Sequence, residues 1–343
     1  MEDTIQYAIQ EAITDVLNDH QENGSVAMLS AASLESLGTL FQESGFFNLL
    51  LPEEQNGAAL SLPQVLPILM QEGRYALPIG LSSTNLANLW LHTHGIDLPG
   101  GAIALEASMS TSAANTANQA LSLGIKPESF VQTTPYLLLA HSNQAYLIEA
   151  SQYQLALVDS DKYSRWLSVD LNQASALSVS AEALSELRYL AVLSTIATSL
   201  GAMRQVLEMT VKYAAERSQF GRTLSQFQAI QQQLSVMAEC VCSAQMAAEL
   251  AYNSQGTEAS KPHIMLAKHQ ISLVANQVAN IAHAVHGAIG ITKEFPLHFY
   301  TQIIRQNRSR GGSEMYWAEQ IGALVLESDK TLLATLSEDL LVS

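Results

Sequence analysis

The sequence predicts a mainly α-helical protein with a central β domain and a C-terminal four-helix bundle. Apolar residues recur every three or four positions over the first 95 residues, and they alternate with polar residues between about 101 and 177. After about residue 187 they form long helical seams. We therefore expect an N-terminal helical domain over 1–97, a middle β domain, as a barrel or sandwich, over 98–182, and the four-helix bundle over 183–343.

The N-terminal region is typical of a small all-helical domain. Ile5, Ile9, Ile13 and Val16 share one face of a predicted helix, with Glu, Asp and Gln between them. The turn chemistry of LPEEQNG ends the second helical stretch. Helices are expected over about 5–17, 31–46, 62–75 and 83–92.

The middle region has the texture of strands. PYLLLAHSNQAYLIEAS places two apolar runs around a polar tip, which predicts a hairpin, and YQLALVDSD and SRWLSVDL alternate like half-buried strands. We expect five to seven strands. Because helices do not alternate with these strands, the pattern disfavours a parallel Rossmann sheet.

Long seams with a spacing of about 3.5 residues mark the last region. They predict helices over about 187–216, 227–251 and 264–285, and a fourth over about 314–327. Four such helices are expected to close as an antiparallel bundle.

Composition limits the function. The 343 residues include 16 Lys plus Arg against 32 Asp plus Glu, a formal charge of -16, which disfavours a nucleic-acid surface. Cys240 and Cys242 lie two apart on a predicted helix, so they face different ways, and free thiols suit a reducing cytosol. The first residues lack a signal-peptide pattern, and no stretch of about 18 uninterrupted apolar residues predicts membrane insertion. We expect a cytoplasmic protein.

Three punctuating segments could bind a ligand. ERSQFG places Arg217 near Gly221 and Arg222 in a tight connection, which suits a diphosphate, although these arginines could instead cap helix carbonyls. HGAIG, at 286–290, carries a glycine pair that more often ends a helix than cradles a phosphate.

The third segment, RSRGGS, follows Arg305 and precedes a predicted helix. Arg308 and Arg310 stand beside Gly311 and Gly312, a fair anion site in an acidic chain, with a solvated surface as the alternative. The sequence has no HExxH, CxxC, Walker or GxSxG motif, and its nine histidines show no metal-ligand spacing. No bound metal is expected.

Taken together and in this order, the three segments resemble the acyl-CoA dehydrogenase flavoprotein family. ERSQFGRTLSQFQAIQQQLSVMA is similar to the family signature, and HGAIGITKEFPL followed by the GGS turn is similar to its last motif. SGFFNLLLPEEQNGAALSLPQVLPILMQEGRYALP also resembles the family's first domain. The resemblance implies FAD held between the subunits of a dimer of dimers.

The resemblance also implies roles for individual residues. Arg217, with Gln219 and Phe220 beside it, would reach the FAD of a neighbouring subunit, and Gln228 would help hold the adenine side. Gly287 and Gly290 would allow the cofactor to approach the backbone closely. Ser313 and Met315 would touch its adenosine part.

The departures from the family concern the catalytic base. In many members a glutamate directly precedes the GT or GS turn, and here that position is Gly311. Other members place the base early in the first bundle helix, where this chain has Ala191 and Val192. Glu186 is the nearest carboxylate and a fallback candidate, and Arg188 lies beside it. The β region also has no stretch resembling TEPxxGSD, the segment that walls the flavin ring elsewhere in the family.

Two functions remain open from the sequence. The first is an FAD-dependent acyl-CoA dehydrogenase, or a subunit of one, that desaturates an acyl-CoA thioester and passes electrons to an electron-transfer flavoprotein. The alternative is a non-catalytic subunit that completes the FAD site of a paralogous subunit in a heterotetramer. The absence of a base together with the retained arginine segment resembles the heteromeric branch of the family that acts in bacterial breakdown of steroid side chains.

Overall fold

The computed structural model describes residues 2–20, 26, 29–109, 120–125, 135–157, 165–171, 174–253, 261–292 and 294–327. The described helices are α1 (Glu2–His20), α2 (Ala31–Glu43), α3 (Leu62–Arg74), α4 (Leu81–Thr93), α5 (Ala181–Glu216), α6 (Gln228–Tyr252), α7 (Lys261–His286), α8 (Leu297–Ser309) and α9 (Glu314–Glu327). The described strands are β1 (Ile103–Ala107), β2 (Ala120–Ile125), β3 (Tyr136–His141), β4 (Gln144–Glu149), β5 (Tyr153–Leu157), β6 (Arg165–Asp170), β7 (Ala176–Leu177), β8 (Ser218–Gln219) and β9 (Arg222–Thr223).

The chain forms two compact units, each assembled from separate stretches of sequence. The helical unit comprises Met1–Met28, Leu62–Leu77 and Thr195–Ser343, and the mixed unit comprises Leu29–Ser61 and Pro78–Ser194. The boundary falls within α5. These bounds differ from the three domains expected from the sequence, and that division stays a prediction.

The helical unit is built on apolar seams. α7 contacts α6, α8 and α9, and α3 contacts α1, α6 and α8. Six of the seven residues that define the predicted seam of α7 are buried, and Ile281 is half-buried; this burial removes apolar surface from water and supplies the main stabilising term. The six buried residues are Ile264, Ala267, Ile271, Val274, Val278 and Val285.

Two glycines bring α3 and α5 into backbone contact. A Cβ atom at Gly201 would stand 1.9 Å from the carbonyl oxygen of Met70, and one at Gly73 would stand 1.9 Å from that of Thr198. Because the obstructing atoms belong to the backbone, no rotamer change could relieve either clash. The two helices therefore pack at a distance that only glycine permits.

The mixed unit contains seven described strands in two sheets. One sheet has the order β1-β3-β4-β7 and the other β2-β6-β5. Only β1 and β3 pair in parallel, and the remaining described pairs in these sheets are antiparallel. Its hydrophobic core contains Ala104, Leu137, Leu139, Tyr146, Ile148 and Val169.

Two buried asparagines on α4 anchor the segment that follows α2. The Asn85 side chain accepts from the N–H of Leu49 at 2.9 Å and donates to the carbonyl of Phe46 at 2.9 Å. The Asn88 side chain donates to the carbonyl of Phe47 at 3.1 Å. The bonds to Leu49 and Phe47 satisfy buried backbone groups, and the bond to Phe46 satisfies a partly buried one.

The sequence-based expectations for the fold are largely confirmed. The hairpin expected in PYLLLAHSNQAYLIEAS is β3–β4, and the predicted helices are present with small shifts at their ends. Cys240 is buried and Cys242 exposed, as their spacing implied. The sequence analysis did not predict α8, an amphipathic helix with one buried face and one strongly polar face.

Two described helices, α5 and α6, are long and apolar enough to cross a bilayer by length and composition alone. In α5, 83% of the apolar window is buried within the protein, as in a core helix, and the corresponding share in α6 is 33%. One or two such helices are weak evidence for membrane insertion.

Gly201→Ala is expected to destabilise the protein by about 1–3 kcal/mol or more, because the new methyl group has no space against the Met70 carbonyl. Urea denaturation would measure the change. Gly322→Ala is the matched control, since no atom lies within 4 Å of the added Cβ in α9. The control should gain about 0.5–1 kcal/mol from helix propensity, and an equal response of both variants would contradict the backbone contact.

Candidate functional site

A short hairpin carries ERSQFG between α5 and α6. β8 and β9 pair Gln219 with Arg222, and the two turn residues, Phe220 and Gly221, have φ of 52° and 80°. Positive φ at both positions is the pattern of a type I′ turn, in which an aromatic residue is strained. The Phe220 ring is nevertheless 92% exposed. The hairpin thus holds an apolar side chain out from the chain that carries it.

Arg217 stands at the base of this hairpin. Its N–H donates to the Tyr213 carbonyl at 2.9 Å, and its own carbonyl accepts from the N–H of Leu224 at 2.8 Å. The guanidinium is exposed and has no hydrogen-bond or ion-pair partner within the part of the chain that is described. The backbone of Arg217 is therefore fixed while its charged group stays available.

The first turn of α6 lies directly after the hairpin. The Arg222 guanidinium carbon lies 4.0 Å from the ring centre of Phe227, a cation–π contact that fixes this arginine. Phe227 is the N-cap of α6 and gives its first turn no side-chain hydrogen bond. Gln228, the first residue of α6, is exposed. An uncapped helix N-terminus beside arginines is suited to an anionic group.

His286 closes α7 within a cluster of three rings. Its ring lies 4.5 Å from the Tyr213 ring and 4.9 Å from the Phe295 ring, centre to centre. Nδ1 donates to the Ala282 carbonyl at 2.8 Å, and the buried Nε2 has no partner among the described residues. Burial lowers the pKa of His286, and the Ala282 bond partly opposes that shift. The imidazole is therefore neutral near pH 7.

The two glycines of HGAIG stand in different surroundings. Gly287 is exposed, with φ of 64°, and no atom lies within 4 Å of where its Cβ would be. Gly290 is buried, and its Cβ would lie 3.0 Å from His286 Cβ and 3.1 Å from Leu297 Cδ2. Gly287 leaves room for a ligand, whereas the missing side chain of Gly290 serves packing within the chain.

The GGS turn between α8 and α9 is held by residues of α9. Gly311 and Gly312 have φ of 65° and 100°, both in the region that favours glycine. Trp317 Nε1 donates to the Gly311 carbonyl at 3.0 Å. Ser313 Oγ accepts from the N–H of Tyr316 at 3.3 Å and so caps the first turn of α9. The shape of the turn is set before any ligand arrives.

A buried lysine lies below this turn. Lys268 of α7 is 1% exposed, and its Nζ donates to the carbonyl of Asn307. Its pKa is lowered to about 7, mainly by burial and also by the Arg310 charge, while the Glu314 carboxylate opposes the shift. Arg308 forms an ion pair with Glu314. Asn307 Nδ2 is buried and lacks an acceptor among the described residues.

The structure places no available carboxylate at the family's base positions. Gly311 has no side chain and a left-handed backbone, and Ala191 and Val192 are buried at 3% and 0% exposure. The fallback candidate, Glu186, places Oε2 2.9 Å from Nε2 of His94. Both side chains of this pair are about a quarter exposed. Glu186 is thus already engaged by an imidazole.

Arg188, the neighbour of Glu186, binds the β3–β4 hairpin instead of a site group. Its guanidinium donates to the Ser142 carbonyl at the hairpin tip. Burial and, to a lesser degree, the Arg188 charge lower the pKa of His141. Arg188 therefore has a structural contact of its own within the mixed unit.

The predicted cofactor residues all lie in the helical unit. Tyr213 links HGAIG to the stem of the ERSQFG hairpin, and Lys268 ties α7 to the end of α8 beside the GGS turn. Glu186 belongs to the mixed unit. Six of the predicted cofactor residues are exposed: Arg217, Gln219, Phe220, Gln228, Gly287 and Met315.

Sequence reasoning missed Lys268 and Asn307. A lone lysine in a helical segment is usually a solvated residue, so its chemistry attracted no notice. Its spacing was the available signal, because Lys268 lies four residues after Ile264 and three before Ile271 on the apolar seam.

Comparison with known proteins agrees with this architecture. Residues 181–326 match the model of the acyl-CoA dehydrogenase C-terminal domain. Acyl-CoA dehydrogenase IpdE2 of Mycolicibacterium smegmatis is 25% identical over 261 residues, which cover 76% of this chain and 78% of that protein. The C-terminal part of this chain, residues 181–326, is therefore similar to the C-terminal domain of acyl-CoA dehydrogenases, and most of the chain is similar to IpdE2.

Solved structures share the fold over nearly the whole chain. A Tcur3481-Tcur3483 steroid ACAD variant matches with a TM-score of 0.75 at 22% identity, covering 95% of this chain and 99% of that one. A chain of the ChsE4-ChsE5 complex from Mycobacterium tuberculosis matches with a TM-score of 0.69 at 18% identity, covering 96% of this chain and 96% of that one.

Gly311→Glu, which restores the residue type of the family's base, is expected to destabilise the protein by about 1–2 kcal/mol. The reason is the positive φ at this position, which a residue with a Cβ adopts at a cost. Urea denaturation would measure the loss. Gly311→Asn is the control and should lose less, because asparagine tolerates this conformation. Equal stability of all three proteins would contradict the left-handed turn.

The lowered pKa of Lys268 predicts a pH-dependent stability. Between about pH 7 and its ordinary value of 10.5, the unfolded chain holds a proton that the folded chain has released. The contribution of Lys268 to the free energy of unfolding must therefore rise with pH across this window. Lys268→Met should remove that rise, measured by urea denaturation at pH 7, 8 and 9, whereas the exposed Lys212→Met should keep it. A parallel pH profile for wild type and Lys268→Met would refute a neutral Lys268.

Proposed function

We propose that this chain is a subunit of an FAD-dependent acyl-CoA dehydrogenase and that it completes the FAD site of a neighbouring, paralogous subunit. The ERSQFG hairpin carries the proposal. It presents a strained and exposed Phe220 beside Arg217, a cation without a partner among the described residues. Strain and exposed apolar surface are features of segments that bind another molecule.

The residues of the helical unit fit the diphosphate-bearing half of FAD. Arg217 is available for a phosphate, and the first turn of α6 is uncapped by a side chain. Asn307 Nδ2 is a buried donor without an acceptor among the described residues, below the GGS turn. Donors and positive charge in an otherwise acidic chain favour an anionic ligand.

Each predicted residue has a role in this proposal. Arg217 binds a phosphate of the neighbour's cofactor, with Gln219 and Phe220 packing beside it, and Gln228 holds the adenine side. The open space at Gly287 admits the cofactor, while Gly290 keeps that turn closely packed. Ser313 and the exposed Met315 contact the adenosine part.

Removal of the substrate proton is assigned to the partner. When bound, FAD supplies hydride acceptance in the α,β-desaturation of an acyl-CoA thioester. The α-proton needs a carboxylate, and this chain has Gly311, Ala191 and Val192 at the family's base positions. Loss of a positioned base would slow the reaction by about 100- to 10,000-fold. A subunit without the base is therefore suited to a supporting role.

A homomeric dehydrogenase that uses an unusual base is the second candidate. The ion pair of Glu186 with His94 favours it, because a carboxylate fixed by an imidazole, about a quarter exposed, could accept a proton. This enzyme would contain an FAD site of its own and act on acyl-CoA without a paralogue.

The proposed assembly is a heterotetramer with a paralogous subunit, although a homotetramer belongs to the second candidate. Its substrate is an acyl-CoA thioester from lipid or steroid catabolism, and an electron-transfer flavoprotein accepts the electrons. We place it in the cytoplasm. The similarity in fold to the ChsE4-ChsE5 complex is in line with a two-subunit assembly.

Flavin content distinguishes the two candidates. The chain is purified alone and after coexpression with a paralogous acyl-CoA dehydrogenase subunit, and bound FAD is measured by absorbance. Colourless protein alone and a flavin-containing complex are expected. Stoichiometric flavin in the isolated chain that is bleached anaerobically by acyl-CoA would reject the supporting role and favour the homomeric enzyme.

Arg217→Ala is expected to lower the flavin content of the complex, because loss of a charge-assisted hydrogen bond to phosphate weakens binding by about 10- to 100-fold. FAD affinity is measured by fluorescence titration of the deflavinated complex. Lys212→Ala, an exposed cation in the last turns of α5 before the hairpin, is the matched control and should bind FAD normally. Unchanged affinity in Arg217→Ala, with the complex intact by size-exclusion chromatography, would remove the proposed role of the hairpin.

A further inference from the structure

A cavity of about 520 Å³ lies among α1, α3 and α5 in the helical unit. Neither the ERSQFG hairpin nor the GGS turn contributes to its lining. A volume of this size is sufficient for a small metabolite. Its wall is predominantly polar, and the side chains that matter below are Asn18, Gln71, Arg74, Tyr75 and Arg204.

The wall contains a buried acceptor without a donor. Gln71 is 6% exposed, and its Nε2 donates to the Pro67 carbonyl at 3.2 Å. That bond fixes the orientation of the amide and directs Oε1 away from the Pro67 carbonyl. Oε1 is buried and has no partner among the described residues. A buried oxygen of this kind favours a ligand that brings an O–H or N–H donor.

The two charged side chains of the lining are both arginines. Arg74 forms two hydrogen bonds to Glu208, at 2.9 and 2.7 Å, so its charge is compensated and its plane is fixed. Arg204 is exposed at the rim and has no hydrogen bond or ion pair within the described part of the chain. Arg204 is therefore the cation of this lining that is available to a ligand.

The cavity is formed before a ligand binds. Gly201, which contributes to the wall, presses against the backbone of Met70, so α3 and α5 cannot approach further to close the space. On another side, the Tyr75 hydroxyl donates to Asn18 Oδ1 at 2.8 Å and fixes α1 to the end of α3. A preformed wall lowers the ordering cost of binding.

We propose that this cavity binds a small polyhydroxy carboxylate. The single carboxylate pairs with the Arg204 guanidinium, and one hydroxyl donates to Gln71 Oε1. Other hydroxyls exchange hydrogen bonds with the Asn18 amide and the Tyr75 hydroxyl. A simple carboxylate has no donor for Gln71, and an uncharged polyol leaves Arg204 without its anion. The proposal is independent of the FAD site and of the role assigned to the ERSQFG hairpin.

Isothermal titration of the full chain with three probes tests this pairing of groups. Gluconate carries both the carboxylate and the hydroxyls, sorbitol carries only hydroxyls, and acetate carries only the carboxylate. Gluconate should bind with a Kd of about 1 mM or below, and the other two at least about tenfold more weakly. Absence of gluconate binding up to about 20 mM, or equal binding of sorbitol or acetate, would overturn the proposal.

Two variants locate the binding in this cavity. Arg204→Ala and Gln71→Met should each weaken gluconate binding by about tenfold, through loss of the ion pair and of the acceptor. Lys212→Ala, a cation two turns further along α5, should bind like wild type. Arg204 is exposed, so its variant stays folded even if replacement of the buried Gln71 disturbs α3. Gluconate affinity that is unchanged in Arg204→Ala would assign the binding to another place and reject this site.

Discussion

The helical unit depends on the backbone contact between α3 and α5. Side chains usually hold the axes of packed helices about 8–10 Å apart. Gly73 and Gly201 have none, so α3 and α5 approach more closely at these two points of contact. The contact fixes α3, which also packs on α1, α6 and α8, and it positions Arg74 for its paired hydrogen bonds with Glu208. Since α5 ends at the ERSQFG hairpin, the same contact fixes the helix that leads to the candidate site.

Periodicity predicted most of the fold, because each seam is a local property of the chain. It failed for α8, whose polar residues conceal a buried face that includes Tyr300, Ile303 and Ile304. Periodicity also could not predict the close packing of α3 and α5 at Gly73 and Gly201, because a glycine inside a helical pattern does not indicate which helix packs against it. The motifs identified the candidate cofactor residues. The left-handed backbone at Gly311 could not be predicted from the sequence, because glycine adopts positive and negative φ about equally well.

The GGS turn is held in shape by hydrogen bonds from α9, and it lies near a buried lysine whose charge is costly to desolvate. Lys268 of α7 is desolvated, with the Arg310 charge and the Glu314 carboxylate near it, and that carboxylate is paired with Arg308. A buried charge of this kind is often less stabilising than an apolar residue of similar size, although Lys268 also donates to the Asn307 carbonyl. The lysine therefore contributes order to the end of α8 rather than net stability. An anion bound at the turn would compensate the excess positive charge.

The hairpin and the base positions lead to the same conclusion by different routes. A left-handed Phe220 costs conformational energy, and at 92% exposure the residue recovers little of that cost from its edge-to-face contact with Phe227. Contact with a second molecule would offset it. At Gly311, in contrast, the backbone conformation makes a glutamate costly, so the missing base is part of the geometry of the turn and is more than a change of side chain. The costly arm and the turn that disfavours a glutamate both support the proposal that the proton acceptor belongs to a neighbouring subunit.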